Sequence, residues 1–443
     1  MKFITMYGRG PRVGGTARMF KDLMRTDKFL FIAAFLAICP AQAFALDLDG
    51  CVSMALAASH ALRSSEQKIN SARSAYSRDR RSLFPVLSVS GEDGYNRYQA
   101  GSGLRDGLTG TTGARFSLDL KKNLSDYPEL SRLELEKSRI QRDLAEKDIV
   151  RSVTQDYYRL YILLGKRADY SEARKYFSSH IEDIEKLENA GLDLKLDRVR
   201  AEIQLKSLEL TARDLDTDID GVLRSLSSAT GAELRAEDLT FQGGPESFGR
   251  LPGQDGIAAI STCCAGAEGV FSARLDRLET NSAYETYRQS RFSYAPTLEL
   301  GVARNLAIID PATELYRTYI AVSLDVFDFG ARAEERKAYL HDYEARKEAE
   351  LENQKQLRLS LDRLAAEMNG AAVSYDGLKK NYEAAAGNLE TAKLYYTKGK
   401  IKETDLLSIF SEYLDAKQQS RDALGRYLDT MTELAYLRAG AEK

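Results

Sequence analysis

YYTKGKIKETDLL, residues 395–407, interrupts a stretch whose apolar residues otherwise recur at helical spacing. Gly399 stands six residues ahead of Asp405, with mostly polar residues between. Glycine accepts the left-handed backbone that ends a helix, and a carboxylate suits the first turn of the next one. The stretch therefore reads as a corner where a long helix turns back. The corner occurs twice: in LENAGLDLKLDRV, residues 187–199, Gly191 again precedes Asp197 by six. The two glycines are 208 residues apart, as are the two aspartates, and Arg213–Asp214 falls opposite Arg421–Asp422 at the same offset.

Two further segments repeat. NSARSAYSRDRRSLFP (70–85) and NSAYETYRQSRFSYAP (281–296) share Asn-Ser-Ala, Tyr76/Tyr287, Arg80/Arg291 and Pro85/Pro296. FSLDL (116–120) matches VSLDV (322–326). Self-similarity in one order across the chain marks a duplicated structural unit. The expected division is a signal segment 1–45, a first repeat 46–242, a linker 243–256 and a second repeat 257–443. Each repeat holds a helix, a β-hairpin (85–120; 296–327) and a helical hairpin (126–230; 331–440).

Prolines are absent from 129–244 and 312–443, which leaves room for very long helices. From Leu357 the apolar positions run Leu361, Leu364, Met368, Ala371, Tyr375, Leu378, Tyr382, Ala385, Leu389, Ala392, Tyr396, in steps of four and three. That is a coiled-coil seam, and a helix over 331–397 would be a rod of about 100 Å. The segments ahead of the rods alternate instead. TLELGVAR (297–304) and YIAVSLDVF (319–327) set apolar against small or polar residues, as do VLSVSGEDGYNRY (86–98) and ARFSLDL (114–120). QAGSGLRDGLTGTTG (99–113), rich in Gly, Ser and Thr, reads as a surface loop. Such strands suit a soluble sheet with one buried face or a membrane barrel; export and over-long helices favour the barrel. Two hairpins cannot close a barrel alone, and open edges cannot face lipid, so the chain is expected to oligomerise through its strands.

The N-terminus reads as an export signal: basic residues precede FLFIAAFLAI (29–38), then small residues at Ala41, Ala43 and Ala45. The remaining cysteines, Cys51, Cys263 and Cys264, are too few and unevenly placed for a disulfide framework. Cys51 follows a poor lipid-attachment sequence, and Cys263–Cys264 lack a second pair for metal. A formal net charge of −3 gives no case for nucleic acid. No phosphate loop, nucleophile elbow or ligand cluster appears, so neither an enzyme nor a cofactor is expected. His60, His180 and His341 are each isolated and expected to face solvent.

Taken together, LDLDGCVSMALAASHALR (46–63), Pro85 opening a strand, SLDVFDFGARAEERKAY (323–339) and the two glycine–aspartate corners resemble the TolC-like outer-membrane efflux protein family. The resemblance implies a mainly α fold: a homotrimer whose four strands per chain make a twelve-stranded outer-membrane barrel, continued by a periplasmic α-helical tunnel. It implies an exit duct for efflux or type I secretion, working with a periplasmic adaptor (membrane fusion protein) and an inner-membrane RND or ABC transporter. It places adaptor contacts at Gly191, Leu192, Asp197, Gly399 and Lys400, and a pore gate at Asp405, Tyr396 and Ser408. The family's second gate aspartate is Ser408 here, and its latching basic residue is Ile401, between Lys400 and Lys402. A weaker, single-ring gate is expected. The other reading is a periplasmic coiled-coil adaptor or scaffold without a barrel, which the duplicated strands disfavour.

Overall fold

The computed structural model describes residues 46–438 apart from 101–102, 191–193, 242–269, 308–314 and 326. The signal segment, the linker, Cys263 and Cys264 lie outside the described residues. The Asp47 carboxylate accepts the Gly50 N–H at 2.8 Å and starts α1 (Leu48–Ala58); Ser59 caps α2 (His60–Arg81). Then come β1 (Val86–Ala100), β2 (Gly103–Asp119), a short α3 (Leu120–Leu124), α4 (Pro128–Asn189) and α5 (Lys195–Thr230). The second half holds α6 (Phe271–Ser290), β3 (Thr297–Ala307), β4 (Leu315–Ser323), α7 (Ala331–Thr397) and α8 (Glu403–Arg438). Pro128 sits at the first turn of α4, where its missing N–H costs nothing.

The 67 residues of α7 make a rod of about 100 Å. Its buried residues, Leu361, Met368, Tyr375, Leu389 and Ala392, all belong to the four–three seam, which packs on α8. The four rods lie side by side in the order α5–α4–α8–α7. Where α4 meets α8, buried Asp169 binds Arg421 (Nη2 at 2.9 Å) and Lys417 (3.1 Å). Gly165 lies under that guanidinium, where any side chain would overlap it. The central core gathers Tyr157, Leu160, Leu226 and Leu428 around Cys51, which has no exposed surface. Burial, helped by Asp47, pushes the Cys51 thiol up, as expected of a core thiol.

The four described strands form one antiparallel sheet, β1-β2-β3-β4, with β1 and β4 at open edges. Residues 99–100 and 103–113 are not the loop their composition suggests. The β1–β2 ladder runs from Val86↔Ser117 to Ala100↔Gly103. Ladder bonds are made by backbone, so glycines and polar residues can carry a ribbon beyond the β2–β3 pairing, which ends at Thr109↔Ala307. The opposite correction applies to 319–327, where the ladder stops at Ser323. There Asp328 accepts N–H bonds from Gly330 (3.1 Å) and Arg332 (3.0 Å), bending the chain into α7.

The sheet separates its faces. Leu87, Phe116, Leu300 and Ile320 form one row straight across it, with Val89, Leu118, Leu298, Val302 and Val322 on the same side. Most of these apolar residues are exposed, Val89 and Ile320 at 80% and 71%. The other side carries Ser88, Arg115, Ser117, Glu299, Gly301, Tyr319 and Ala321, with Arg115 and Glu299 paired at 3.8 Å.

Candidate functional site at the helix corner

The α7–α8 corner turns on Gly399, whose φ of +67° is costly for any residue with a Cβ. Nothing lies within 4 Å of the space a side chain would take, so the requirement is conformational. Gly399 donates its N–H to the Tyr396 carbonyl and Lys400 to that of Tyr395, both at 2.8 Å, which closes the end of α7. In the next turn the Asp405 carboxylate accepts the Lys402 N–H at 3.3 Å. Asp197 holds the matching position in α5, where Arg200 reaches it at 3.4 Å. Gly191 and Leu192 lie outside the described residues.

The expected gate residues separate onto two sides of α8. Asp405 and Ser408 are exposed and continue as an acidic stripe through Glu412 and Asp415, in steps of three and four. Glu403, Leu406 and Phe410 face the opposite way and are buried. Tyr396 joins this second group.

The buried side contains a pair that inspection of the sequence missed. His180 is not solvent-facing: its Nε2 meets the Glu403 carboxylate at 2.7 Å, with both side chains almost fully enclosed. Tyr176 stacks on the imidazole at 5.9 Å and on Phe410 at 5.0 Å, and Tyr396 approaches His180 edge-on at 5.5 Å. Burial raises the Tyr396 hydroxyl, and Glu403 raises it further; burial, then Glu403 and Glu390, push Tyr176 up to about 12. Both phenols stay neutral, and their rings flank the pair. A signal for it existed. Ala173, Phe177, His180 and Ile184 run in seam steps of four, three and four, so His180 occupies a core position. Its partner lies 223 residues away, beyond the reach of local pattern.

Beside the pair a groove of about 650 Å³ opens between the hairpins, lined by Ile184, Leu187, Leu194, Tyr396, Gly399 and Ile401. Asp183 and Lys393 also line it, and at the corner Lys400 lies over the Tyr395 ring at 5.6 Å. Among the described residues no three His, Cys, Asp or Glu side chains converge as a metal site, and no helix is long and apolar enough to cross a membrane.

A family model described as "Outer membrane efflux protein" matches residues 51–232, from α1 to the end of α5. That match spans 182 residues of this 443-residue chain. No curated protein sequence matches it. Solved structures share the fold over nearly the full length. A membrane protein from Pseudomonas aeruginosa superposes with a TM-score of 0.71 at 16% identity, covering 90% of this chain and 94% of its own. The Campylobacter jejuni CmeC outer membrane channel gives 0.70 at 14% identity, covering 89% and 86%. The open-state Neisseria gonorrhoeae MtrE outer membrane channel gives 0.69 at 17%, covering 89% and 88%. The likeness of fold extends through the second half, beyond the residues that the family model matches.

Proposed function

We propose that the chain is one subunit of a trimeric outer-membrane exit duct, passing cargo from a periplasmic adaptor and an inner-membrane RND or ABC transporter to the exterior. The observation that carries this reading is the outward-turned apolar face of the sheet together with its open edges. A row such as Leu87–Phe116–Leu300–Ile320 is stable against lipid, and unpaired strand edges are not. Joining β4 of one copy to β1 of the next removes every edge, and three copies give twelve strands. The rods agree with that geometry. The flanking helices α5 and α7 carry exposed apolar residues, Leu196, Val199, Ile203 and Leu210 on one, Leu351, Leu359, Val373 and Leu394 on the other. Head-to-tail assembly would bury both stripes. Exposed Phe84, Phe327 and Phe329, beside the helix end of the sheet, supply the aromatic girdle that bounds a barrel's lipid-facing band.

In this reading Asp405 and Ser408 line the periplasmic mouth, where three Asp405 carboxylates around an axis favour cations. Tyr396 supports the gate from behind, through the His180–Glu403 cluster. The groove floor with Gly399 and Lys400, together with Gly191, Leu192 and Asp197, forms the adaptor-facing tip. The test is single-channel conductance of the detergent-purified trimer in planar bilayers. Asp405→Ala is expected to conduct more and to lose cation preference. Unchanged conductance overturns the gate assignment, and a water-soluble monomer overturns the duct.

A further inference from the structure

On the polar face of the sheet, near its helix end, Tyr319 stands beside several small residues. Gly301, Ala303 and Ala321 flank Tyr319, whose register partner across the β3–β4 ladder is Gly301, with Arg115 and Ser88 further along the same row. The ring does not stand off the sheet, as strand side chains ordinarily do. It lies across Gly301, which is buried beneath it. A methyl group at Gly301 would come within 2.6 Å of the Tyr319 Cε1 and hydroxyl oxygen. Arg317, two residues back on the same face, holds its guanidinium 5.8 Å from the ring centre.

We propose that Gly301 sets the passable width of the barrel by giving the Tyr319 ring a place to lie flat, which makes the pair a size-selecting position of the duct. The inference rests on the trimeric-barrel reading above. Its physical basis is the number of strands. Barrels of about eight strands are filled by their inward side chains, whereas those of 16–18 leave an aqueous channel. Twelve strands fall between, so side-chain volume decides what passes. Beside Ser88 and Gly301 this layer carries two large residues: Arg115, paired with Glu299 at 3.8 Å, and Tyr319, folded against the wall. A side chain at position 301 overlaps the far end of a flexible group, so the ring gives way instead of the backbone and turns into the lumen. Three copies at one level would then narrow the passage together.

Ser117 lies on the same face, one layer nearer the helices, so a reagent from outside the cell must pass the Tyr319 layer to reach it. Cells carrying Ser117→Cys are treated with a small maleimide and a bulky polyethylene-glycol maleimide, with the parent chain as blank. Both reagents should label Ser117→Cys alone. Adding Gly301→Val should leave the small reagent unaffected and slow the bulky one about tenfold or more, a barrier of about 1.4 kcal/mol. Adding Tyr319→Ser as well should restore bulky labelling, which a merely structural role for the pair would not do. Bulky labelling that ignores Gly301→Val, or stays slow in the triple variant, overturns this proposal alone. Failure of the small reagent to label Ser117→Cys at all removes the lumen, and with it the duct reading.

Discussion

On the sheet, Val89, Ile320 and Val322 point outward at 80, 71 and 66% exposure, while on the rods Phe177, Leu160 and Leu226 have no exposed surface. Both regions use the same kinds of side chain, placed in opposite senses. Burying such a side chain away from water is worth roughly 1.5–3 kcal/mol, so the rods gain their stability within the chain. The sheet does not. In the proposed duct its apolar face meets lipid, and its edges meet other copies of itself. On that proposal one chain serves two solvents, and the change falls within a few residues, where Asp328 bends the chain from β4 into α7.

The largest test of that contrast is on the rod side. Phe177→Ala removes a fully buried ring stacked edge-on against Phe410 and should cost about 3–5 kcal/mol, read by chemical unfolding of the purified protein. A cost below about 1 kcal/mol would mean that the corner cluster is not a core. The sheet side is tested by neighbours on opposite faces. Ile320→Arg should lose about 2–4 kcal/mol of membrane stability, seen as less chain assembled in the outer membrane, whereas Ala321→Arg should assemble normally. Equal behaviour of the two would erase the distinction between faces. The smallest effect sharpens the corner itself. Gly399→Ala should cost about 1–2 kcal/mol through its positive φ alone, because no neighbour is crowded; thermal unfolding would measure it.

Where structure follows from local spacing, it was legible. The seam from Leu361 to Ala392 and the break at Gly399 appear in the sequence as they appear in the rods, because a heptad pattern constrains helix, face and partner together. The sheet was legible only where alternation marked it. Residues 99–113 carry no apolar alternation, yet 99–100 and 103–113 pair, since a ladder needs backbone rather than side chains. At Gly113 the lack of a side chain is itself used, for the Val302 carbonyl approaches where a Cβ would sit, at 3.2 Å. His180 was missed because polarity outweighed position. A histidine on a seam step belongs to the core, and only the fold supplies the glutamate that makes it tolerable there.

The seam of α7 also restricts how such a molecule can change size. Leu361, Met368 and Tyr375 are buried at intervals of seven. Inserting one residue would rotate everything beyond it by about 100°, carrying Leu389 and Ala392 out to water and turning charged neighbours inward. Only whole heptads, about 10.5 Å each, can be added without that rotation, and the antiparallel neighbour must grow by the same amount. Reach across the space below the sheet is therefore quantised, and drift in length must proceed in paired steps.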